Sequence, residues 1–174
     1  MKELIRYGFT LMVICAAAAG LLAGVNALTQ EKILAQAQGQ EDVSLKEVMP
    51  QGQTFEPVKP GNQILYYKAF NAENKLVGAV FKAQGKGYAG VIETMVGILP
   101  DGTITAIKVI SQNETPGLGT GVTESSFTDR FKNRNAQGLA GVEAITGATI
   151  SSSAVISSVK EKAKEIIALL KNGQ

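Results

Sequence analysis

Between Tyr7 and Gln30 the chain carries no charged residue, and the middle of that run is almost wholly apolar from Leu11 to Val25. At ~1.5 Å rise per residue a helix of this length spans roughly 36 Å, against a hydrocarbon core of about 30 Å. In lipid every backbone N–H and C=O must be paired within the segment, which leaves a single membrane helix as its structure. A cleaved signal peptide, cut after Ala17-Ala18-Ala19, is the alternative reading. Against it, the apolar region continues to Leu28, longer than a signal peptide needs. Lys2 and Arg6 precede the run, and Glu31 and Lys32 follow it as a neutral pair. The excess of basic residues on one side predicts a cytoplasmic N-terminus, with everything after Gln30 outside.

The remainder divides by composition. Residues 1–30 form the anchor, with the span at about 7–28. Residues 31–53 form a polar, glutamine-rich linker, helical but interrupted near Gly39 and ended before Pro50, and residues 54–174 form one outer domain. About 120 residues is the usual size of a single domain. Strands are predicted for Ile64 to Phe70, Leu76 to Ala83, Ile92 to Leu99 and Ile104 to Ser111. Asn71-Ala72-Glu73-Asn74 and Pro100-Asp101-Gly102-Thr103 are turn sequences between two pairs of them. Short connections require antiparallel pairing. Ser125 to Arg134 reads as a short helix. From Ser152 onward Ile156, Val159, Ala163, Ile166, Ile167 and Leu170 recur at helical spacing. The expected fold is α+β: a transmembrane helix, then an extracytoplasmic domain with an antiparallel sheet flanked by helices.

Some chemistry is excluded outright. The chain contains no histidine, which removes Ser-His-Asp catalysis, histidine-ligated zinc and histidine-ligated haem. Cys15 is the only cysteine and lies in the apolar run, so the outer domain has neither disulfide nor thiolate metal site. The acidic residues show no calcium-loop spacing. A net charge of +2, spread along the chain, argues against nucleic acid as a partner. Redox or group-transfer chemistry would therefore have to come with a cofactor.

Three segments stand apart. Gly85-Lys86-Gly87-Tyr88-Ala89-Gly90 and Glu114-Thr115-Pro116-Gly117-Leu118-Gly119-Thr120-Gly121 are dense in glycine. They can be tight turns, or backbone that approaches a flat ligand without Cβ atoms in the way. Thr146-Gly147-Ala148-Thr149-Ile150-Ser151 runs directly into the last helix. It can be an ordinary serine- and threonine-rich N-cap. It can also be a hydroxyl held at a helix mouth, where unpaired N–H groups and the dipole favour a phosphate.

Taken in order, Gly87-Tyr88-Ala89-Gly90, the 114–119 segment and Thr146-Gly147-Ala148-Thr149 resemble the RnfG family, the FMN-binding component of the Rnf ion-translocating electron transport complex. The NqrC component of the sodium-pumping NADH–quinone reductase is a relative of that family. The resemblance covers essentially the whole chain and implies FMN bound covalently through its phosphate to Thr149, attached by a flavin transferase of the ApbE type. The family's attachment motif falls here on Glu143, Thr146, Gly147, Ala148 and Thr149, with Ser151 following. Glu143 stands where aspartate is usual, and Gln112 where many relatives have histidine. Glu114, Thr115, Gly117, Leu118, Gly119 and Tyr88 are then candidates for contacts to the flavin.

The implied role is electron relay on the extracytoplasmic side, coupled to Na+ or H+ transport, with no independent catalytic site and no metal. The implied place is a bacterial or archaeal cell membrane, crossed once. The implied partners are the other membrane and iron–sulfur proteins of the complex. Two other readings compete. A stand-alone, membrane-anchored flavin carrier would keep the cofactor and lose the partners. A pilin-like structural protein would explain Gly8-Phe9-Thr10-Leu11-Met12 after a short basic leader, but Val13 stands where such a protein wants glutamate.

Overall fold

The computed structural model describes residues 2–61 and 63–172, so Met1, Asn62, Gly173 and Gln174, which belong to the anchor and domain expected above, lie outside the described residues. The chain forms two compact units that divide after Glu41.

Helix α1 (Lys2–Val48) contains the described residues of the first unit. Within its residues Glu3–Gln30 an 18-residue stretch reaches a mean hydropathy of 2.2, and the segment is long and apolar enough to cross a membrane. Leu4, Leu11, Leu21 and Leu28 are exposed along it. The hydroxyls do not interrupt it, because Thr10 donates to the Arg6 carbonyl at 2.9 Å and Thr29 to the Val25 carbonyl at 2.8 Å. The expected interruption near Gly39 is absent, and the helix runs on to Val48. One glycine costs about 1 kcal/mol in a helix interior, and its glutamine and glutamate neighbours are good helix formers. Pro50 ends the helix, since a proline disfavours helical dihedrals in the residue before it.

The second unit contains a five-stranded antiparallel sheet in the order β1 (Thr54–Val58), β2 (Tyr66–Phe70), β3 (Leu76–Lys86), β4 (Val91–Ile98), β5 (Ile104–Ser111). The two turns expected from the sequence form as side-chain-stabilised turns. Asn71 Oδ1 accepts from the Glu73 and Lys75 N–H groups, and Asp101 Oδ1 from that of Thr103. β1 is additional to the four expected strands. Its Glu56 and Pro57 mask any alternation, and proline is tolerated there because the strand lies at the sheet edge.

Both faces of the sheet are covered. On one, Phe81, Ile92, Val96, Ile98 and Ile104 pack against helix α3 (Thr149–Asn172) through Val155, Val159, Ala163 and Ile166. Val155, rather than the expected Ile156, is the fully buried member of that turn. The same core takes Phe127 from the one-turn helix α2 (Ser125–Thr128) and Phe131 from the 3-10 turn after it, with ring centroids 5.4 Å apart, edge to face. On the other face, Leu45, Val48 and Met49 at the end of α1 cover Tyr67, Ala69, Val80 and Met95. The α+β architecture expected from the sequence is the one observed.

Gly85 determines how closely α3 approaches the sheet. It lies in β3, not in a loop, and a Cβ there would sit 2.8 Å from the Ala154 carbonyl carbon and 3.1 Å from Ser158 Oγ. The helix backbone therefore rests directly on the strand. That contact fixes where the first turn of α3 stands above the β3–β4 turn.

Candidate functional site

The first turn of α3, the 87–90 turn and the loop after β5 meet around an open cleft of ≈ 400 Å³. Thr115, Leu118 and Gly119 line it from one side, Tyr88 from another, and Gly147 to Ser151 from the helix, with Glu114 at the junction. Segments far apart in sequence are thus brought to one place, the mouth of a helix.

Thr149 is the first helical residue and is exposed. Its hydroxyl makes no hydrogen bond among the described residues, so it does not cap the helix. The backbone N–H groups of Thr149, Ile150 and Ser151 likewise take no partner among the described residues, whereas that of Ser152 bonds the Ala148 carbonyl at 2.9 Å. A helix start of this kind favours a negative group. Gly147 enters it with φ +81°, a left-handed conformation that costs a side-chain-bearing residue energy. Space is not the constraint, since the nearest atom to a Cβ there would be Leu118 Cδ2 at 3.9 Å.

Ser152, which sequence reasoning passed over, holds this entry together. Fully buried, it donates from Oγ to the Ala148 carbonyl at 2.8 Å and accepts from the Ile145 N–H at 3.1 Å. Arg130 supports the segment upstream, donating to the Glu143 carbonyl at 2.8 Å and to the Ser126 carbonyl at 2.9 Å.

Of the candidate residues, Tyr88, Glu114, Thr115, Leu118, Gly119, Gly147, Ala148, Thr149 and Ser151 line the cleft. Glu143, Thr146 and Gly117 do not. Glu143 and Thr146 are both exposed. Gly117 has φ +77° and nothing within 4 Å of where a Cβ would be, and its N–H donates to Thr120 Oγ1 at 3.1 Å, as a turn glycine does. Ile150 joins the lining unforeseen. With Leu118 and Tyr88 it forms an apolar rim, the three being 57%, 56% and 75% exposed. A large apolar residue on the first turn of a helix, off its buried stripe, was the available signal.

Glu114 is the charged group at the centre. It is 5% exposed. Burial raises its pKa, but the Ser151 hydroxyl and the backbone N–H groups of Ala89, Tyr88 and Gly90 outweigh that and hold it below the ordinary value of 4.5. A carboxylate with a lowered folded-state pKa stabilises the fold in full above the unfolded-state value. That contribution is lost as the pH falls through the folded-state value. The urea midpoint of the detergent-solubilised chain should thus exceed that of Glu114→Gln by most near neutrality, with the gap closing below about pH 4.5. A gap that stays constant down to about pH 3 would show that the carboxylate does not titrate in this way.

Comparison with known proteins follows the same segments. Residues 87–164 match the FMN-binding domain family and residues 1–48 the RnfG N-terminal region. The G component of the ion-translocating oxidoreductase complex of Methanosarcina acetivorans is 38% identical, over 89% of this chain and 90% of that protein. The G component of the Na(+)-translocating ferredoxin:NAD(+) oxidoreductase complex of Acetobacterium woodii is 34% identical, over 91% and 89%. The crystal structure of NqrC from Shewanella oneidensis superposes with a TM-score of 0.54 at 22% identity, covering 72% of this chain and 74% of that one, a likeness of fold.

Proposed function

Because the chain belongs to the RnfG family of ion-translocating oxidoreductase complexes, we propose that it carries FMN esterified through its phosphate to Thr149 and relays electrons on the extracytoplasmic side of the membrane. Membership makes it an electron-transport component of an Rnf-type ferredoxin:NAD oxidoreductase complex, with an FMN-binding domain. The proposed covalent linkage rests on one observation: an exposed Thr149 hydroxyl on the first turn of α3, opening onto the cleft beside three N–H groups, all without a partner among the described residues.

The residues fit the cofactor at both of its ends. A phosphodiester keeps one negative charge, which the first turn of α3 favours by about 0.3–1 kcal/mol. The apolar rim of Leu118, Ile150 and Tyr88 suits a flat ring system, and ≈ 400 Å³ lies in the usual range for a small-molecule cleft. FMN, when bound, supplies the reversible electron transfer that no side chain here can perform. The chain tethers it, which prevents its loss where no pool of cofactor exists for rebinding.

In the attachment step the Thr149 hydroxyl oxygen attacks the phosphorus of the FMN half of FAD. The diphosphate bond breaks, AMP leaves, and the hydroxyl proton passes to the transferase. Glu143 and Thr146 lie off the cleft, and their proposed part is recognition by an ApbE-type transferase rather than contact with the flavin. Gly117 does not line the cleft, and its part in the proposed site is to shape the 114–121 loop through its positive φ.

Coupling to Na+ or H+ movement is a property of the whole complex. The chain co-produced with a flavin transferase should give a band that fluoresces under ultraviolet light on a denaturing gel, and a dark wild-type band would overturn the linkage. Purified from its native membrane in mild detergent, it should bring membrane and iron–sulfur proteins with it. Isolation alone, with flavin, would favour the stand-alone carrier. Orientation has its own test: protease added to cells stripped of outer layers should digest the chain from about Thr54 onward, and complete protection until lysis would reverse the assignment.

A further inference from the structure

Glu114 joins three segments that share no secondary-structure element. Its Oε1 accepts from the Ala89 N–H at 3.0 Å and the Gly90 N–H at 3.3 Å. Its Oε2 accepts from the Tyr88 N–H at 3.2 Å and from the Ser151 hydroxyl. Tyr88 and Ser151 both line the cleft, from opposite segments. Two glycines make room for the carboxylate. A Cβ on Gly87 would sit 2.5 Å from Oε1, and one on Gly119 2.6 Å from Oε2 and 2.9 Å from Ser151 Oγ. The glycine density that reads in sequence as access for a ligand is, at these two positions, access for the protein's own carboxylate.

We propose that Glu114 is a positioning residue, an anionic clasp that binds the 87–90 turn and the first turn of α3 to one carboxylate and so sets the cleft before the cofactor arrives. Consecutive N–H groups in a turn form a concavity that attracts anions. Here the side chain fills it, which leaves the N-terminus of α3 as the place for a phosphate. The clasp stands on the geometry alone. Its service to FMN rests on the function proposed above.

Glu114→Gln keeps the shape but turns one acceptor into a donor. An amide NH2 at the Oε2 position can still meet Ser151, whose hydroxyl can accept, but it opposes the Tyr88 N–H. Placed at the Oε1 position, it opposes Ala89 and Gly90. The test is amide hydrogen exchange on the full chain in detergent, produced without a flavin transferase and therefore without covalent cofactor. In Glu114→Gln the amides of Tyr88, Ala89 and Gly90 should exchange roughly tenfold or more faster, while β4 and β5 stay protected as in the wild type. Ser151→Ala should move the same amides in the same direction by less, and it remains informative if Glu114→Gln fails to fold. Unchanged exchange in either folded variant overturns the clasp.

In flavin-loaded protein, Glu114→Gln should keep the covalent label and lower its fluorescence anisotropy, because the ring would be held less firmly. An anisotropy equal to wild type would show that the clasp does not position the cofactor. A wild type that never takes up flavin would defeat the proposed function and leave the exchange result standing.

Discussion

Thr149→Ala yields a folded protein without covalent flavin. The substitution removes the only atom of that side chain able to form the ester, so the fluorescence of the denatured band should vanish rather than decline. The mass should fall by one FMN less one water, beyond the lost side-chain atoms. Sequence reasoning alone would assign this variant a loss of about 1 kcal/mol for a missing helix cap. The geometry removes that loss, because the Thr149 hydroxyl caps nothing and Ser152 closes the helix entry instead. Alanine is also the better helix former by a few tenths of a kcal/mol up to about 0.7. Unfolding in urea should therefore be unchanged or slightly later than in wild type. Thr149→Ser keeps the nucleophile and should retain part of the label. Thr146→Ala should matter less than Thr149→Ala, because that side chain is not the proposed nucleophile. Covalent flavin that persists in Thr149→Ala would place the attachment elsewhere and refute the proposed linkage.

Gly85→Ala is expected to be among the most damaging small substitutions in the second unit, and of the tightly packed strand glycines Gly78, Gly85 and Gly97 it is the one that meets α3. Its Cβ would come within 2.8 Å of the Ala154 carbonyl carbon, and closer still to the oxygen. Both belong to helix backbone, which cannot rotate away as a side chain can. The helix must lift or the strand must bend, at a cost of about 3 kcal/mol or more for overpacking of this kind. Function should suffer beyond stability, because lifting α3 moves Thr149 and Ser151 away from Tyr88 and Glu114. Urea denaturation checks the first effect, and the flavin spectrum of the loaded variant checks the second. A stability within about 0.5 kcal/mol of wild type, the usual range for a surface change, would mean that the contact is not close. Gly39→Ala, in the exposed part of α1 with nothing within 4 Å, is the control and should be neutral or slightly favourable.

Gly85, Gly87, Gly117 and Gly119 show where sequence reading ends. In the sequence they form two similar glycine-dense loops, and one explanation covers all four. In the fold they have three different tasks. Gly85 admits a helix backbone, Gly117 turns the chain in open space, and Gly87 and Gly119 accommodate Glu114. Which task each performs depends on what lies opposite it. For Gly85 that partner is Ala154 and for Gly87 it is Glu114, both remote along the chain. A similar loss of information hid β1. Thr54–Val58 carries no usable alternation, and it is a strand because β2 offers an unpaired edge.

Local chemistry settled a good deal without any fold. An uncharged run from Tyr7 to Gln30 leaves a helix as its only structure in lipid, since its backbone has no other partner. Asn71 and Asp101 form turns through bonds to N–H groups of residues just downstream. The apolar stripe after Thr149 defines a helix and the side it buries. The hydroxyl at the start of that helix was marked by its place in the chain. Each of these rests on interactions among near neighbours. Tertiary structure alone decided that the 87–90 turn and the 114–119 loop face that hydroxyl, and that Glu114 ties the turn to the helix start through its own hydrogen bonds. It also decided that Ser152, rather than a threonine, closes the helix entry. An ionised carboxylate can be buried at 5% exposure only where donors compensate its lost hydration. Three of those donors are backbone N–H groups, which every residue but proline carries and which therefore leave no mark in a sequence.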